Sequence, residues 1–182
     1  AALAALKALP NGQGDYVALF QSWARIDPPT ALAALGQIDN AEWRRNAQSA
    51  VLMVMADSDP AGALAALRQL PLGQQSLALY SSVFHTWAEQ DPAAALAALK
   101  DLPAGSARTM AVQSVFAGWA ESDPQGALQA AQALPLGAER DKALKQSLTS
   151  LLTQDPAAAA AYIAPLPAGV TRNGYIPTLA EA

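Results

Sequence analysis

The chain has 182 residues with a single histidine, His85, and no cysteine. Disulfides, thiolate zinc sites and cysteine nucleophiles are thereby excluded. So is a metal site with several histidine ligands. His85 follows Phe84, and its column holds Met53, Ala117 and Thr149. In so varied and unreactive a column it reads as a structural or solvated residue. Carboxylates do recur at a fixed spacing: Asp27, Asp59, Asp91, Asp123 and Asp155 each precede a proline and stand 32 residues apart. If neighbouring units packed at an ordinary helix spacing of about 10 Å, two such carboxylates would approach the separation used by an inverting glycosidase. An Asp before Pro is, however, a helix N-cap, whose side chain accepts backbone N–H bonds and is held ionised by them. The five are therefore assigned as helix caps. No glycine-rich phosphate loop, nucleophile elbow or HExxH motif is present. The sequence thus predicts no catalytic, cofactor-binding or metal-binding residue, and a protein that is not an enzyme.

Arginine also recurs in one column, at Arg44, Arg108, Arg140 and Arg172. It would serve either as a ladder that clamps carboxylates or as an internal tie to a cap or a loop carbonyl. Recurrence at a helix start favours the internal tie. A departure from the pattern says more about binding. The stretch "DNAEWRRNA" (39–47) places Trp43 beside Arg44 and Arg45, where the positions equivalent to Trp43 are Gln75, Ala107, Glu139 and Thr171. Tryptophan and arginine are the side chains most enriched at interface hot spots. Trp43, Arg44 and Arg45 are therefore the candidate protein-binding residues, with a local packing variant as the plainer alternative.

The spacing of these residues defines the elements that must position them. Twelve residues after each Asp stands Pro71, Pro103, Pro135 or Pro167, with Asp39 in one unit. Gly73, Gly105, Gly137 and Gly169 follow two residues later. The first such marker, Leu9-Pro10, sits three residues closer to its Asp-Pro, which places a short deletion in the first loop. Each unit decodes as two helices. Asp caps the first, Pro fills its opening position, and "DPAAALAALKDL" continues it with leucines at 96, 99 and 102. The second helix runs over about 108 to 121 with Ala111, Val112, Val115, Phe116 and Trp119 on one stripe.

Two columns of large side chains predict the core between layers: Trp23, Met55, Trp87, Trp119 and Leu151, and beside it Phe20, Leu52, Phe84, Phe116 and Leu148. The pairs Ala31/Leu32, Ala63/Leu64, Ala95/Leu96 and Ala127/Leu128 supply small and large residues that let helices approach and fill the gaps. One helix pair cannot bury both faces, so stacking of pairs is required. The prediction is an all-α fold: an α-solenoid of helix-turn-helix repeats in a right-handed superhelix. It forms a single repeat domain over 1–182, with a partial repeat 1–26, repeats 27–58, 59–90, 91–122 and 123–154, and a partial repeat 155–182.

The Asp-Pro at each junction, with an aromatic eight residues before the proline (Phe20, Phe84, Phe116), resembles the tetratricopeptide class of repeats. The array is similar to divergent tetratricopeptide-like or HEAT-like repeats, and to Ala-rich Asp-Pro repeats of bacterial type. The resemblance spans nearly the whole chain. It departs in its 32-residue period and in a Trp where the family usually carries Ala. It implies binding of a protein or peptide in a concave groove lined by the first helices.

Composition narrows the partners. Net charge is −4 and charged residues make up 14%, against about 25% in ordinary domains. A nucleic-acid groove needs a basic stripe that is lacking here. The most apolar run, 157–164, closes at Pro165, far short of the roughly 18 residues of a membrane span. The outward columns of the first helices carry Ala65, Ala97, Gln129, Arg68, Lys100, Gln132, Gln69 and Asp101. Such a face suits a neutral or apolar helix or strand, or another copy of the chain. The expected function is a non-catalytic scaffold for protein–protein interaction. The alternatives are a structural element that stacks end to end into arrays, favoured mildly by the low charge, and an accessory repeat region of a larger enzyme. No cofactor is expected, and the compartment stays open. "AALAALKALP" fits the repeat only if an Asp-Pro precedes it, and "YIPTLAEA" ends where another Asp-Pro is due. The array is thus expected either to continue in both directions or to pair through its ends, exposing Leu3, Leu6 and Leu9 at one and Tyr175, Pro177 and Leu179 at the other.

Overall fold

The computed structural model describes residues 13–71 and 73–165. They form an all-helical protein, with no strand among the described residues. The residues 1–12 and 166–182, and with them Arg172 and the predicted apolar ends, lie outside the described residues.

Five Asp-Pro joints organise the chain. At each, the Asp N–H donates to the carbonyl four residues before it, at 2.7–2.9 Å, and closes the helix behind. The Asp carboxylate accepts the N–H three residues ahead, at 2.8–3.1 Å, and opens the helix in front. The Asp backbone lies at φ between −148° and −143° in all five. Proline takes the next position, where no N–H is needed. One residue therefore caps two helices and turns the chain. At Asp27 the Thr30 hydroxyl adds a bond of 2.6 Å, and the two Thr30 bonds, the hydroxyl's first, hold this carboxyl below its usual range.

The helices are α1 (Gln13–Ala24), α2 (Pro28–Ala34), α3 (Ala41–Ser58), α4 (Pro60–Leu67), α5 (Gln74–Gln90), α6 (Pro92–Ala98), α7 (Ser106–Ser122), α8 (Pro124–Ala133), α9 (Ala138–Gln154) and α10 (Pro156–Ile163). The first helix of a unit is shorter than "DPAAALAALKDL" suggested. α6 stops at Ala98, and Leu99–Asp101 tightens into a 3-10 turn. Leu102 precedes Pro103 and is driven to extended backbone, at ψ 133°, because the proline ring disfavours a helical neighbour. The long helices α7 and α9 begin at Gly105 and Gly137, with φ of 150° and 147°, a region open essentially to glycine alone. α3 lacks that glycine and starts on Asn40, whose side chain accepts from the N–H of Glu42 and Trp43 at 2.9 and 3.1 Å.

The contacts define two compact units, 1–86 and 87–182. In the first, α1 packs on α3, α2 on both, and α4 on α3. In the second, α7 packs on α9, α8 on both, α6 on α7 and α10 on α9. Phe20, Leu52, Phe84 and Phe116 are 0% exposed, and so is the alanine four residues after each cap Asp: Ala31, Ala63, Ala95, Ala127 and Ala159. The tryptophan column differs from expectation. Met55 and Leu151 are buried, but Trp23, Trp87 and Trp119 are only half buried. An indole is too large to be enclosed at a position that holds Met or Leu. It lies instead over the phenylalanine one turn earlier, with ring centroids 5.6 Å apart for Phe20–Trp23 and 6.1 Å for Phe116–Trp119.

Candidate functional site

The Asn40 cap sets the start of α3, and the helix then fans Trp43, Arg44 and Arg45 around its axis. The three residues consequently have different fates. Trp43 is half buried and stacks against Tyr16 of α1, with centroids 5.3 Å apart and planes tilted by 36°. Arg44 is half buried and donates from Nη1 to the carbonyl of Ile38 at 3.2 Å. Arg45 is exposed, and its guanidinium makes no hydrogen bond or ion pair among the described residues.

Arg45 lines a cleft of about 320 Å³ together with Gln48, Leu70, Pro71, Gln75 and Leu79, among others, with no acidic residue among the described lining residues. Its walls are held in place. Ser76 is buried; its hydroxyl accepts from the N–H of Gly73 at 2.8 Å and donates to the carbonyls of Pro71 and Gly73 at 3.1 and 2.9 Å. Gln75 donates from Nε2 to the Ser49 hydroxyl at 3.1 Å, which bridges α5 to α3. The Leu79 side chain is buried and forms an apolar surface in the cleft. One cation, several amides and an aliphatic floor thus converge on one concavity.

Two members of the arginine column, Arg44 and Arg108, make internal ties, whereas Arg140 makes no hydrogen bond or ion pair among the described residues. Arg108 donates from Nη1 to the carbonyls of Leu99 and Leu102 at 2.5 and 3.4 Å, which holds the turn before α7. Its Nε and Nη2 form a fork on Glu139 of α9, at 2.6 and 3.1 Å. That bond to Glu139 raises the guanidinium's already high pKa. Ser76 occupies the same column and binds its own loop carbonyls in the same manner. The partner Glu139 was not singled out from sequence, because a residue 31 positions away signals nothing until α7 and α9 lie side by side. The cleft was equally unannounced. Gln48, Gln75 and Leu79 have no shared motif, and they meet only through the packing of the unit.

The five cap aspartates are exposed but engaged with backbone. His85 lies half buried on α5. Ala65, Arg68 and Gln69 of the α4 segment are exposed, as are Ala97, Lys100 and Asp101 after α6 begins, and Gln129 and Gln132 on α8. These positions form neutral to weakly charged surfaces with no aromatic residue. No helix among the described residues is long and apolar enough to cross a membrane. Scans of protein-family models, of curated proteins and of solved structures find no match to this chain.

Proposed function

We propose that this protein is a non-catalytic scaffold that binds another protein or peptide, its helix pairs stacking with the 32-residue period into a right-handed solenoid of tetratricopeptide-like type. The stacking reading is supported by the five alike joints and by the packing of α1 on α3 and of α7 on α9. The observation that carries the binding reading is Arg45, unpartnered among the described residues, in the lining of a cleft whose described residues include no acid. Arginine is among the residues from which interface hot spots are built, and concave surfaces are where ligands lodge.

Affinity capture with the full chain as bait tests this. The variant Arg45→Glu with Gln48→Ala alters the cleft but spares the Trp43–Tyr16 stack and the Arg44 tie. A specific protein recovered by the wild type and lost with the variant, at unchanged helical content and melting temperature, is the expected result. Recovery of nothing beyond the bait-free control would overturn the reading. A second reading, association with other copies of the chain, is favoured by the uncharged exposed positions Ala65, Ala97 and Gln129. Concentration-dependent light scattering separates it from the first.

A further inference from the structure

The Arg45 cleft has a chemistry specific enough to define its occupant. Three features bear on it. The guanidinium of Arg45 is the one charged group among the described lining residues and is not committed to any described residue. The lining also holds the amides of Gln48 and Gln75, which offer donors, and the aliphatic side chains of Leu70, Pro71 and Leu79. The volume of about 320 Å³ lies at the lower end of the range for small-molecule pockets, roughly 300–1,000 Å³. It admits a side chain or two of a peptide, not a large cofactor.

Building on the scaffold reading above, we infer that this cleft receives an acidic side chain of a partner peptide together with an adjacent aliphatic residue. A carboxylate satisfies the planar fork of Arg45 through two parallel bonds. The glutamine amides donate to it further, and the aliphatic neighbour covers Leu70 and Leu79. With a net charge of −4, the protein as a whole does not attract acids, so the preference must arise locally at Arg45. Glu42 lies one turn earlier on α3 and is exposed, outside the lining.

The test is a titration of the full chain, followed by heteronuclear NMR, with N-acetyl-Ala-Leu-Glu-Ala-amide. Both ends of that peptide are blocked, so the Glu side chain is its only charge. The expected result is shifts at the Arg45 Nε–H and at the Gln48 and Gln75 side-chain amides, with affinity about tenfold above that of the Gln analogue, as a charge-assisted fork provides. Arg45→Gln should remove the preference, and Arg45→Lys should restore it only in part because the ammonium lacks the fork. Arg45 is exposed, so both variants should fold. Equal affinity for the Glu and Gln peptides overturns the inference, as do shifts confined to other surfaces. Tighter binding of N-acetyl-leucine than of the Glu peptide also overturns it, since the cleft would then select a chain terminus. If Arg45→Gln captures a partner as well as the wild type does, the carboxylate inference fails while the scaffold reading stands.

Discussion

Adjacent, chemically similar residues behave differently here because a helix turns about 100° per residue. Arg44 points back to a loop carbonyl, and Arg45 points into a cleft. The same geometry separates Phe116 from Trp119. Phe116 is enclosed, while Trp119 lies across it and keeps one side toward solvent. Removing an enclosed ring leaves a cavity as well as lost transfer energy, together about 3–5 kcal/mol. Removing a half-covered ring forfeits less, roughly 1–3 kcal/mol, because solvent refills the space. Asp91→Ala frees the N–H of Ala94 at an exposed helix start, which costs about 1 kcal/mol. Urea titration should therefore rank Phe116→Ala as the most destabilising, then Trp119→Ala, then Asp91→Ala. A larger loss for Trp119→Ala than for Phe116→Ala would mean that the tryptophan column carries the core.

At the scale of the element, helix starts decide where the chain turns, and two kinds of glycine sit at them for different reasons. Gly105 has φ 150°, a backbone state that side chains disfavour by about 1–3 kcal/mol. Gly105→Ala should lower stability by that order even though the added methyl would meet no neighbour. Gly62 is an ordinary helical residue three after Asp59, and an added methyl would press on the Asp59 carboxylate. Ala94 and Ala158 occupy the equivalent place, and Asp91 and Asp155 still accept their N–H at 2.9 Å. The carboxylate is free to turn aside in the same way at Asp59. Gly62→Ala should then raise stability by about 0.5–1 kcal/mol through the reduced freedom of the unfolded chain. Thermal melts of the two variants should move in opposite directions. A shared downward shift would show that the Asp59 cap cannot adapt.

At the scale of the molecule, packing is local in sequence. α1 meets α2 and α3, α3 meets α4, α7 meets α8 and α9, and α9 meets α10. Each of these contacts closes a short loop, so little chain entropy is lost before it forms. Helical proteins with this distribution of contacts fold on the order of milliseconds or faster. Stopped-flow refolding from urea should show a dominant phase of that order. A main phase of seconds would point to longer-range pairing than these contacts between described helices.

The sequence by itself determined the all-helical character and the helix starts at the five Asp-Pro joints. Those depend on local chemistry: Asp accepting an N–H three residues on, Pro with no N–H to satisfy, and Gly admitting a backbone that other residues resist. The caps Asp27, Asp59, Asp91, Asp123 and Asp155 were legible for that reason, and so were the enclosed phenylalanine and alanine columns, which periodicity marks. Tertiary packing decided the rest. It set how much of each tryptophan is covered, because coverage depends on neighbours from other helices. It paired Arg108 with Glu139, stacked Trp43 on Tyr16, and brought Gln48 and Leu79 to the same cleft as Arg45. These are contacts between side chains on different helices. Their partners follow from interhelical distance and rotation, which no spacing along the chain encodes.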